Sequence, residues 1–142
     1  MYTLLSSSNI SSNERCKPLA VGDSVTVKKV VTSEDVENFR NLTGDSNPIH
    51  FGSEAIVHGA LLNGIVSGVI GTRLPGPGTK VVAQCLEFPN ACCVEDEVCV
   101  TVTVTSVRKI VVCSFTCVTS HNKKTVLKGE AKLIVSSDEK NI

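Results

Sequence analysis

"HGALLNGIVSGVIGTRLPGPG", residues 58–78, decides the fold. Residues 58–74 are apolar on every side of a helical projection, which marks a helix inside a core rather than one lying on a surface. The run falls short of the roughly 20 apolar residues that a membrane span needs. Ala60, Gly64 and Gly68 recur every fourth residue and line one face, where another backbone can approach closely. Glycine inside a helix costs about 1 kcal/mol against alanine, so its repetition predicts tight packing on that face. The Pro-Gly-Pro-Gly run then stops the helix.

Downstream, strand follows strand. "KVVAQCLEF" (80–88) leads into Pro89. "EVCVTVTVTSV" (97–107) alternates strictly, with Val98, Val100, Val102 and Val104 on one face and Cys99, Thr101, Thr103 and Thr105 on the other. "KIVVCSFTCVTS" (109–120) follows a tight turn at Arg108-Lys109, and "TVLKGEAKLIV" (125–135) follows a turn at "HNKK". Upstream, "DSVTVKKVV" (23–31) reads as a strand and "TSEDVENFRNLTG" (32–44) as a helix. Thr32 or Ser33 caps that helix, and Gly44 sits at its left-handed end. A buried helix among antiparallel hairpins predicts an α+β domain whose sheet wraps the helix.

The chain of 142 residues is 42% hydrophobic, enough for one domain with one core. Residues 1–20 read as a flexible or transit-like segment, 21–136 as the domain and 137–142 as a polar tail. The Ser-rich "MYTLLSSSNISSNERCKPLA" has Arg15 and Lys17 against one acid, Glu14, and no long apolar stretch. Formal net charge is zero, from 14 basic and 14 acidic residues, with no basic stripe. This argues against a nucleic-acid partner. Seven cysteines without CxxC spacing argue against a disulfide framework or a zinc site. They are expected to be small buried hydrophobes in a reducing compartment. Cys92-Cys93 could form a reactive pair, but nothing basic stands beside it in sequence.

Between the helices lies "LTGDSNPIH" (42–50). Pro48 fixes its own φ and biases Asn47 toward extended backbone. Asp45 and His50 are thereby held in a defined relation, a candidate acid–base pair. The amides at the start of the following helix, near Gly59, are candidate donors to a developing negative charge. Asn47 can bond the loop backbone. His58 reads as capping or packing at the helix start and His121 as solvated in a polar turn. No metal cluster or redox cofactor is expected.

The segments "FRNLTGDSNPIH", "IVHGALLNGIVSGVIG" and "LPGPGTKVVAQCLEFPNACCVEDEV" together resemble the MaoC-like dehydratases, the (R)-specific enoyl-thioester hydratases. Within that family the chain is most similar to the mitochondrial hydroxyacyl-thioester dehydratases of animals. The resemblance runs over roughly residues 21–135, and G-D-x-N-P-x-H followed by an apolar-His-Gly helix start is its most specific part. It implies a hot-dog fold, a homodimer, and acyl substrates carried on coenzyme A or acyl carrier protein. It also implies a mitochondrial setting and reversible dehydration of (R)-3-hydroxyacyl thioesters in fatty acid synthesis. Carried over by position, Asp45 and His50 are the catalytic pair, Asn47 the loop-holding residue, and the Gly59 N–H the donor to the thioester oxygen.

Two departures stand out. Only "FGSEAIV" separates His50 from His58, where the family has a longer connection. The shortening is expected to spare the fold and to weaken activity by drawing the loop from Gly59. Glu95-Asp96 stands where the family often has Gly-Asp, a change expected to alter only a turn. Two other classes stay open: a non-catalytic acyl-binding module, favoured by the short connection, and an acyl thioesterase. The central helix carries no acid, which counts against the latter.

Overall fold

Strict alternation of valine and threonine makes one strand the spine of the sheet. The computed structural model describes residues 3–4 and 17–136. Along the chain run β1 (Thr3–Leu4), β2 (Ser24–Val30), α1 (Ser33–Thr43), a 3-10 turn (Pro48–His50), α2 (Gly59–Thr72), β3 (Thr79–Glu87), β4 (Glu97–Val107), β5 (Val111–Thr119) and β6 (Thr125–Val135). The strands form one antiparallel sheet in the order β1-β2-β4-β5-β6-β3. The segment expected to be flexible thus supplies the backbone of β1, which pairs with Val27 and Lys28. The transit-like reading otherwise falls mostly on residues 5–16, and the polar tail wholly on 137–142, both outside the described residues.

The valine face of β4 is the floor of the core. Val98, Val100, Val102 and Val104 are buried, beside Phe115 of β5 and Leu127, Ala131 and Leu133 of β6. Onto this floor α2 lays Leu62, Ile65, Val66, Val69 and Ile70. Burying a side chain of this size contributes about 1.5–3 kcal/mol.

The opposite face of α2 differs from expectation. Ala60, Gly64 and Gly68 are exposed, and a Cβ added at Gly64 would meet nothing within 4 Å. The small-residue groove exists, but nothing among the described residues fills it. The edge strand β3 is exposed along most of its length, and Cys85 with it. Cys93 is exposed too. The buried-hydrophobe reading therefore fails for these two cysteines and holds for Cys92, Cys113 and Cys117. Burial pushes the thiols of Cys92 and Cys117 up to about 12 and that of Cys113 up to about 11. Such thiols are inert at neutral pH.

Local signals fix α1. Thr32 caps it, accepting from Asp35 N at 3.1 Å while the Asp35 carboxylate accepts from Thr32 N at 3.0 Å. Burial raises the Asp35 carboxyl, but the Lys29 ammonium at 2.8 Å and the Thr32 bonds outweigh this and hold it below its usual value. Gly44 ends the helix at φ 78°, its N–H donating to Arg40 O at 2.7 Å. The Glu95 turn also does more than expected. Glu95 adopts φ 76°, a left-handed conformation that favours glycine, and its carboxylate accepts from Ser33 N at 2.8 Å in the first turn of α1.

Gly129 on β6 lies opposite Leu86 of β3 and Phe115 of β5. An added Cβ would overlap the Cys85 carbonyl oxygen and sit 2.9 Å from the Phe115 ring. Gly129→Ala should therefore lower unfolding stability by about 1–3 kcal/mol, the usual cost of overpacking. Urea unfolding checks this, and an unchanged midpoint would contradict the β3–β6 register.

Candidate active site

The loop after α1 is a chain of short-range hydrogen bonds that its residue types dictate. Thr43 Oγ1 donates to Phe39 O at 2.7 Å and accepts from Asp45 N at 3.2 Å. Asp45 Oδ1 accepts from Asn47 N at 3.2 Å, and Asn47 Oδ1 accepts from Ile49 N at 3.3 Å. These are successive Asx turns. Pro48 then opens the 3-10 turn that ends at His50. Asn47 spends its side chain inside the loop and is exposed.

His50 is only 8% exposed. Its Nδ1 lies 2.7 Å from the carbonyl oxygen of Ile56. A carbonyl can only accept, so Nδ1 carries a proton, and in the neutral imidazole Nε2 keeps its lone pair. The Asp45 side chain remains 47% exposed. Carboxylate and imidazole therefore meet at the edge of the core, where water can enter.

His58 joins them. It is 2% exposed, and its ring stacks on that of His50 with centroids 3.6 Å apart and planes 27° apart. Its Nε2 lies 3.2 Å from the Asp45 carbonyl oxygen and 3.9 Å from Asp45 Oδ2. Of the capping or packing role read for His58 from sequence, packing is found and capping is not, and the ring also touches both Asp45 and His50. Its signal was the missing cap. Helix starts favour Ser, Thr, Asp or Asn, whereas His58 stands at the start of α2 and makes no capping bond. Around the histidines, Phe39 lies 4.7 Å from His58, and Phe51 stands edge-on to both rings with Arg40 4.9 Å over its face.

One donor atom from each of Asp45, His50 and His58 falls within 4.8 Å of the others. The stacked imidazoles carry their lone pairs in nearly parallel planes, a poor arrangement for two ligands on one ion. The arrangement suits proton transfer instead.

Gly59 opens α2 beside His58. Phe88 covers it closely: a Cβ at Gly59 would lie 2.7 Å from Phe88 Cε1. Between the two helices, Phe39, Leu42, Leu61, Gly64 and Ile65 line a groove of about 320 Å³ that begins beside His58. Neither Gly59–Thr72 nor its flanks at residues 58 and 73 carry an acid. His121 is exposed in its turn, as read from sequence.

Residues 19–127 match the model of the MaoC like domain. An (R)-specific enoyl-CoA hydratase of Rhodospirillum rubrum is 36% identical over 126 residues, 80% of this chain and 86% of that protein. A mitochondrial 3-hydroxyacyl-[acyl-carrier-protein] dehydratase of Arabidopsis thaliana is 30% identical over 131 residues, 82% of this chain and 78% of that protein. Among solved structures, an (R)-hydratase of Aeromonas caviae superposes with a TM-score of 0.79 at 31% identity, over 83% of this chain and 98% of that one. The sheet wrapped on α2 is thus the hot-dog fold. The chain belongs to the MaoC-like dehydratase family.

Proposed function

We propose that this chain is a hydro-lyase that interconverts (R)-3-hydroxyacyl and trans-2-enoyl thioesters as a step of fatty acid synthesis. The observation that carries the reading is His50, locked by Ile56 O with Nε2 free, beside the Asp45 carboxylate at the start of an uncapped helix. In the hydration direction a water held by Asp45 and His50 passes a proton to the pair as its oxygen bonds C3. The double-bond electrons move to the thioester oxygen. That enolate-like charge meets the Gly59 N–H, where the helix dipole also favours it. A proton from the pair then returns to C2. Dehydration is the reverse. Net addition of water changes no overall oxidation state, so no redox cofactor is required.

The thioester is carried on coenzyme A or acyl carrier protein, as the names of the relatives indicate for those proteins. The acyl chain has a path in the groove past Phe39, along its Leu42, Leu61 and Ile65 side and away from Lys29, Asp35 and Asn38, which also line it. Absence of an acid from α2 disfavours the thioesterase alternative.

Crotonyl-coenzyme A tests the reading. Loss of enoyl absorbance is expected, whereas free thiol would mean a thioesterase and neither change a binding module. Asp45→Asn and His50→Ala should each lower turnover by about 10²-fold or more. Gly59→Pro should remove the oxyanion donor and cost about 10²–10³-fold. Proline is tolerated at a first helical position, and His58 already has the extended ψ of 130° that a following proline requires. Gly59→Ala controls for crowding against Phe88. Turnover of the parent is expected to be low, because the short connection leaves little slack between His50 and Gly59. A helical turn inserted after His50 should raise kcat/KM, and no gain would remove that expectation.

The active form is a homodimer. The exposed small-residue face of α2 and the unpaired edge of β3 are two surfaces that a second copy would cover. Light scattering at micromolar concentration should give twice the chain mass of 15.1 kDa, and the monomer mass would contradict the dimer.

The setting is mitochondrial, on the strength of the plant relative's printed name and the basic, Ser-rich N-terminal segment. Expressed with that segment in animal cells, the chain should fractionate with mitochondria. A cytosolic distribution would remove this part of the reading.

A further inference from the structure

We propose that His58 is a positioning residue that holds Asp45 and His50 in their working relation, through its Nε2–H bond to the Asp45 backbone. The inference rests on the acid–base reading of that pair. His58 sits where α2 would profit from a capping side chain, and it forgoes that bond. Its ring turns into the site instead. Nε2 lies 3.2 Å from the Asp45 carbonyl oxygen, which can only accept, so Nε2 carries the ring proton. Nδ1 is then an acceptor, and it is buried without a hydrogen-bond partner among the described residues. A buried unpaired acceptor costs stability. An apolar ring of the same shape would fill the space without that cost. Histidine at this position is therefore explained by its donor.

What the donor holds follows from geometry. The loop between Gly44 and His50 is bonded almost wholly to itself, by Asp45 to Asn47 and Asn47 to Ile49. Such local bonds shape a loop without anchoring it to the domain. His50 is tied through Ile56. Asp45 is tied to the helix start by His58 Nε2. The face of His58 against His50, 3.6 Å between centroids, then sets the spacing between acid and base. Phe39 at 4.7 Å limits the tilt of the His58 ring.

Two substitutions separate the donor from the packing. His58→Phe keeps the stack and loses the N–H. His58→Gln carries an amide N–H at a similar reach from Cα and loses the stack. Positioning predicts that His58→Phe is at least as heat-stable as the parent, that kcat falls on the order of 10-fold with KM little changed, and that His58→Gln regains most of the loss. Space-filling predicts the reverse order, with His58→Phe near parental and His58→Gln impaired, and that result would overturn the inference. Amide hydrogen exchange gives a reading independent of turnover. Exchange at Asn47, Ile49 and His50 should speed up in His58→Phe and return toward parental in His58→Gln. Unchanged exchange in His58→Phe would overturn the inference even if the parent proved inactive on enoyl thioesters, an outcome that by itself sinks only the hydro-lyase reading.

Discussion

The hydrogen bond from His50 Nδ1 to the Ile56 carbonyl, at 2.7 Å, is the constraint on which the site depends. It closes the connection between the loop after α1 and α2 into a tight ring of chain. Ile56 N returns a bond to Ile49 O at 3.0 Å, so the same two strands of the loop are tied twice. Ile56 also bridges Cys93, and Val57 N bonds Cys92 O at 2.7 Å, which moors the connection to the turn before β4. The turn before β4 thus reaches His50 through backbone bonds to the connection and one side-chain bond at Ile56. A loop this short has few conformations to lose, which lowers the entropy cost of ordering it.

That mooring also explains how a shortened connection still brings the two imidazoles face to face. His50 and His58 flank the segment, and the stack between them needs their Cα positions close. A longer connection can reach such closeness by folding a helical turn. Here Gly52 does it at φ 100°, a conformation open to glycine at little strain. The consequence is that Phe51 stands beside both histidines, with Arg40 over its ring. The site wall is therefore built partly from a residue that would lie elsewhere along a longer connection.

Much of the frame was legible in the sequence because it rests on local physics. Strict period-two alternation told which face of β4 would be buried, and Thr32 and Gly44 marked both ends of α1. The MaoC-like motif named Asp45, Asn47, His50 and Gly59 by position, and the structure brings Asp45 and His50 together while spending Asn47 on the loop. Other features were not legible. The stack of His58 on His50 is a contact across a turn, invisible to spacing along the chain. The open face of Ala60, Gly64 and Gly68 was hidden because an all-apolar helix reads as buried whether its cover is its own chain or another. Cys85 was misread for a related reason, since a strand pattern does not reveal that β3 lies at the edge.

The account requires the two stacked histidines to hold opposite tautomers, His50 protonated on Nδ1 and His58 on Nε2, because each faces a carbonyl that can only accept. Long-range proton–nitrogen correlation NMR of the histidine rings, at a pH where both are neutral, reads this directly. The predicted result is a pyridine-like Nε2 on His50 and a pyridine-like Nδ1 on His58. A His50 ring that carries its proton on Nε2 would leave no base facing the water beside Asp45, and would contradict the central claim.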